Sequence, residues 1–153
     1  MTSIDSFLDS VKTAIAAGVP ELSSSEAVCV YHHGNSDPDE DIRAAVAKTN
    51  GVCCLVYDLG GDSDPDNALS PVILSEAVIE LYVDTTKRNR RKDATLRTAG
   101  AIRDDIMATL HLNASVTNSE HIYMEPHITG YRPVADPDYV VYRISLKRSI
   151  YIS

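Results

Sequence analysis

Apolar residues recur at helical spacing from Ser3 to Ala17, at Ile4, Phe7, Leu8, Val11 and Ile15, and Gly18 with Pro20 supplies a stop. This predicts an amphipathic helix. Ala27 to His33 is a short β-branched run closed by Gly34, a predicted strand. Asp37-Pro38-Asp39-Glu40 then opens a second helix, with Asp at the cap, Pro in the first turn and Glu three residues after the cap. That helix carries Ile42, Ala45 and Val46 inward and leaves through Asn50-Gly51. Val52 to Leu59 reads as a strand ended by Gly60-Gly61, followed by an acidic loop to Pro71.

Val72 to Asp84 alternates over its length. Ile73, Ala77, Ile79, Leu81 and Val83 fall on one face, and Glu76, Glu80, Tyr82 and Asp84 on the other. A basic linker leads to a helix from Ala94 to Leu112 with the stripe Leu96, Ala99, Ile102, Ile106 and Leu110. Gly100 inside it predicts close approach to the sheet. The chain closes with a strand near His121 to Ile128, a turn region around Gly130, Pro133 and Pro137, and a strand from Tyr139 to Ile152. That last strand points Val140, Tyr142, Ile144, Leu146, Ile150 and Ile152 inward, and only Arg148 interrupts the apolar face.

The order α-β-α-β-β-α-β-β predicts one α+β domain over residues 1–153, a mixed or antiparallel sheet of about five strands with helices packed on one face. The last strand is long. Its 14 residues would span about 46 Å at about 3.3 Å each, against a diameter of about 38 Å for a compact chain of this size. It is therefore predicted to bend or to overhang its domain, with Arg148 where the face has left the core and an edge open to another chain.

Composition narrows the function classes. Twenty-two acids against 14 bases give a formal charge of −8, which argues against a general nucleic-acid coat or a membrane-surface protein. No apolar run approaches the roughly 20 residues of a membrane span, and the first residues do not read as an export signal. Cys29, Cys53 and Cys54 cannot all pair within one chain, which suits a reducing compartment.

Catalytic and metal motifs find no support. No serine sits in a Gly-x-Ser-x-Gly elbow, and Cys53 and Cys54, adjacent on a strand, face opposite ways. Asp62, Asp64 and Asp66 mimic the opening of a calcium loop, but Asn67 stands where Gly is needed and Ile73 where the bidentate Glu should be. No metal or cofactor is expected, and the chain is not expected to be an enzyme.

One feature resists a bland account. Lys87, Arg88, Arg90, Arg91 and Lys92 put five cations into six residues of an acidic chain, directly before a predicted helix start where the dipole disfavours them. They read as a contact for an anionic surface. The acidic stretches around Asp37, Asp39, Asp62, Asp64 and Asp66 on a neighbouring copy are one candidate, and DNA passing nearby is another.

The strand Val78-Ile79-Glu80-Leu81-Tyr82-Val83, the helix Leu96-Arg97-Thr98-Ala99-Gly100-Ala101-Ile102-Arg103-Asp104-Asp105-Ile106, and the strand Tyr139-Val140-Val141-Tyr142-Arg143-Ile144-Ser145-Leu146, taken in this order in a short acidic chain, resemble the tail-terminator (tail-completion) proteins of long-tailed bacteriophages. The resemblance implies a non-enzymatic virion component, assembled in the host cytoplasm. Such a protein forms a hexameric ring on the tail tube, stops its growth and offers the surface that joins the head connector. Its implied partners are its own copies, the tail tube protein, the head connector and DNA passing through the ring, with no membrane. Another head-to-tail connector or neck protein, or a small host enzyme or ligand-binding module, are the alternatives.

Overall fold

Three strands of twelve residues form the middle of the molecule. They are β2 (Val52–Ser63), β3 (Val72–Val83) and β5 (Val140–Tyr151). Two shorter strands flank them, β1 (Val28–Tyr31) and β4 (His127–Val134), in the sheet order β1-β2-β3-β5-β4. The computed structural model describes residues 3–31, 37–63, 72–91, 96–116 and 126–151, without the side chains of 89–91 and 151. Among the described residues, four α-helices accompany the sheet: α1 (Ser3–Gly18), α2 (Pro38–Lys48), α3 (Thr85–Arg91) and α4 (Ala99–Leu110). The architecture is the α+β arrangement expected, in the expected order, with α3 added inside the basic linker.

β1 runs parallel to β2, joined by the crossover through α2; all other pairings are antiparallel. β3 and β5 match residue for residue from Val72↔Tyr151 to Val83↔Val140. The last strand therefore does not overhang. Its length is shared by β3 and by the β2 arm of the hairpin, so it lies inside the sheet with β3 on one side and β4 on the other. The open edges belong to β1 and β4.

Because side chains alternate along strands, each face has its own core. On one face α1 and α4 cover Cys54, Val56, Ala77, Ile79, Leu81, Ile144 and Leu146, with Phe7, Leu8, Val11, Ile15, Ile102, Ile106 and Leu110. On the other, Ile42, Ala45 and Val46 of α2 cover Cys53 and Leu55. The expectation of helices on one face holds for α1 and α4; α2 lies opposite them. It covers the β1–β2 side of that face, and among the described residues no helix covers the β5–β4 side.

Helix ends follow local chemistry. Asp37 caps α2 by accepting the Asp39 N–H at 3.1 Å, with Pro38 in the first turn. α4 begins later than the periodicity suggests, at Ala99, where the Thr98 hydroxyl accepts the Ala101 N–H. Gly100 consequently sits in a first turn, not mid-helix, and a methyl there would meet no atom nearer than 3.6 Å. The expected close approach at Gly100 is absent. It occurs instead at Gly18, where an added Cβ would lie 2.4 Å from Thr109 Cγ2 and so hold α1 and α4 apart. The first turn of α4 is tied to the chain after α1 by Arg97, which donates to Glu21 through Nε at 2.8 Å and to Asp105 at 3.0 Å.

Ile106 is completely buried between α4 and the sheet. Ile106→Ala is expected to destabilise the fold by about 2–5 kcal/mol, as a large-to-small core change does, measured by urea titration. A loss under about 0.5 kcal/mol would mean that the helix does not pack by this stripe.

Candidate interaction surface

The basic segment folds as the end of one element and the clasp of another. Asp84 precedes α3 and accepts the Lys87 N–H at 2.9 Å, which caps the helix. Arg88, Arg90 and Arg91 thus fall in the C-terminal half of α3, where the dipole favours cations, while Lys87 stands in its first turn.

Lys87 also has a partner within its own chain. Its ammonium donates to the carbonyls of Val46 at 2.8 Å, Ala47 at 3.1 Å and Thr49 at 2.8 Å, closing the C-terminal end of α2. These carbonyls have no helical donor, and a cation suits them electrostatically. Gly51, at φ +83°, turns the chain out of α2, and a Cβ there would crowd Arg88 Cγ and the Asp84 carbonyl at 3.3 Å. Arg88 is itself buried, with a guanidinium nitrogen donating to the Arg97 carbonyl at 2.6 Å. Lys87 and Arg88 are therefore structural cations, a correction to the view of five unpartnered charges. Arg90 and Arg91 lie in α3 with side chains outside the description, and Lys92 lies outside the described residues.

Arg148 is corrected as well. It is fully buried, opposite the buried Ser75 on β3, and has an interaction partner. It is an interior side chain and offers no exposed contact.

Of the acidic positions, Asp37 and Asp39 are exposed at the start of α2, where Glu40 and Asp41 follow. Asp62 is exposed on β2; Asp64 and Asp66 lie outside the described residues. Among the described residues, no three His, Cys, Asp or Glu side chains come together. No helix among them is long and apolar enough to cross a membrane.

The uncovered face of the sheet carries a cluster that was not evident beforehand. Glu80 on β3 is only 8% exposed; it accepts the Tyr82 hydroxyl at 3.1 Å and lies 3.7 Å from Arg143 Nη2 on β5. Arg143 is directly opposite Arg132 on β4, and Glu76 opposite Lys147. Burial first, and then the Glu80 carboxylate, push the Tyr57 hydroxyl up to about 12. Tyr82 is raised further by the same causes. Sequence reasoning placed Glu80 and Arg143 on outward faces, but only the pairing register brings them together.

The thiols are quiet. Burial raises Cys29, pushes Cys53 to about 12 and holds Cys54 well above the usual thiol range, and all three are free of disulfides. Their thiolate forms are disfavoured, which suits packing and not nucleophilic chemistry.

No protein-family model matches the chain, and no characterised protein matches it in sequence.

Two outcomes are expected. Lys87→Met removes a cation from three carbonyls and should destabilise by about 1.5–3 kcal/mol, read by chemical denaturation. Folding also raises Tyr57 from 10.0 and Cys53 from 9.0, favouring their neutral forms. Their contribution to stability is then intact below about pH 9 and lost as pH rises toward about 12. Urea midpoints should fall steadily across that range, and Ellman's reagent should find Cys53 and Cys54 unreactive until the protein unfolds.

Proposed function

We propose that this chain is a ring-forming tail terminator of a long-tailed bacteriophage, a virion protein that caps the tail tube and presents the head-joining surface. One observation carries the reading beyond the resemblance of its elements. Opposite charges are mounted at opposite ends of α2. Its N-terminal turn exposes Asp37, Asp39 and Glu40, while its C-terminal carbonyls hold α3, which bears Arg90 and Arg91. Eleven helical residues separate the two groups by about 16 Å.

A cyclic ring of identical subunits needs two different, complementary patches on each copy. An acidic and a basic patch at the two ends of one rigid helix meet that need, because the head of one subunit can face the tail of the next. Lys87 fixes the angle between the two elements, so its role is to aim the basic patch rather than to form it. The partners on this reading are further copies in a hexamer, the tail tube protein and the head connector, with DNA passing through the opening.

The test is assembly. Sedimentation velocity and negative-stain imaging of the wild type should show a six-fold ring that weakens as salt approaches 1 M, where the Debye length is about 3 Å. Reversing Arg90 and Arg91 to Glu, two charge units at each position, takes the formal charge from −8 to −12. The variant should remain folded and lose the ring. Equal assembly of variant and wild type would remove the charge contact from the reading, and a wild type that stays monomeric at high concentration would remove the ring.

A further inference from the structure

We infer that the recess between Arg132 and Arg143 on the uncovered sheet face is a binding site for a phosphate group. The two arginines are directly cross-strand on β4 and β5. Like charges in that position repel, so the pair is unfavourable unless an anion lies between them. Among the described residues, one carboxylate, that of Glu80, pairs with either arginine, and it does so incompletely. Glu80 already takes the Tyr82 hydroxyl, and its 3.7 Å separation from Arg143 Nη2 is far longer than the about 2.8 Å of a charge-assisted hydrogen bond.

Arg143 Nε is buried and donates to nothing. Arg132 is exposed, and its side chain has no hydrogen-bond or ion-pair partner among the described residues. Arg143 thus has one distant acceptor and Arg132 none among the described residues, which leaves donors and positive charge unspent on the same spot.

The space beside them is shaped for an occupant. Thr129, Gly130, Tyr131, Arg132, Arg143 and Ser145 line an open recess of about 260 Å³. A register shift between Ile128 and Gly130 creates it, and at Gly130 a Cβ would meet nothing within 4 Å, so this stretch of the wall is bare backbone. The hydroxyl of Ser145 adds a neutral donor at the rim. Planar guanidinium forks match the oxygens of a phosphate in a bidentate manner, which lysines or a helix end would not. The recess opens to solvent, so a terminal phosphate and a phosphodiester within a polymer can both enter. It lies within one chain and stands whether or not the protein forms a ring.

The probe is inorganic phosphate, followed by amide chemical shifts at matched ionic strength against chloride. Gly130, Arg132 and Ser145 should shift saturably with phosphate at millimolar levels. Arg132→Gln should keep the wild-type melting temperature and weaken phosphate binding at least about tenfold; Arg132→Lys, which keeps charge but not the fork, should fall between. A short DNA duplex that displaces phosphate, with affinity falling as salt rises, identifies a nucleic-acid backbone as the source. Phosphate binding without displacement by DNA identifies a free phosphate or small phosphoester. Both results uphold the site. Shifts equal to those in chloride, or an Arg132→Gln variant that binds phosphate as the wild type does, would overturn it.

Discussion

The residue-for-residue register between β3 and β5 decides where every other group in the molecule can act. The side-chain period of a strand is two, so a slip of one residue would exchange the faces. Ile79, Leu81, Ile144 and Leu146 would leave the α1–α4 core, and Glu80 with Arg143 would enter it. The penalty for burying those charges without partners makes the slipped pairing untenable. The same register that seals one face lays acids and bases side by side on the other, Glu76 opposite Lys147 and Glu80 opposite Arg143. Core and surface chemistry here are two readings of one alignment.

A second constraint acts at the end of α2. The helix is short and polar outside its inward stripe, and an isolated helix of this length is marginal in water. Asp37 satisfies its first turn and Lys87 its last, one from the adjacent residue and one from an element forty residues away. Two of the run of five cations, Lys87 and Arg88, therefore belong to the fold. Charge clustering in a sequence therefore overstates the exposed charge whenever a helix C-terminus is close enough to draw on it.

Local chemistry was legible in the sequence, and long-range pairing was not. The cap at Asp37, the alternation of β3 and the α4 stripe from Ile102 to Leu110 each depend on neighbours within a turn or a strand and appear where expected, whereas Leu96 precedes the helix. The face chosen by α2 depends on β1 pairing in parallel with β2, which periodicity does not encode. Arg148 was misread for a related reason: strand length was compared with a sphere, whereas three strands of equal length share the extension and keep that arginine inside. The Glu80, Arg143 and Arg132 group joins the consecutive strands β4 and β5 to β3, which is far from them in sequence. The only sign of it was a charged residue at an outward position on each of two long strands, which surface strands show routinely.

The uncovered face and the open β4 edge would be hazards in a plain sheet, since an unpaired edge recruits other chains. β4 carries its own protection. Pro133 has no N–H to offer, the irregularity before Gly130 breaks the ladder, and Arg132 brings a charge to the rim. Arg103 on α4 stacks its guanidinium 4.5 Å from the ring of Tyr131 and 4.7 Å from that of Tyr142, so the aromatic on the far side of β4 is tied to its own domain. Strand addition at the β4 edge is thereby disfavoured. If subunits meet, electrostatic contact between rigid elements is the route this surface leaves open, and such contact is directional, reversible and sensitive to salt.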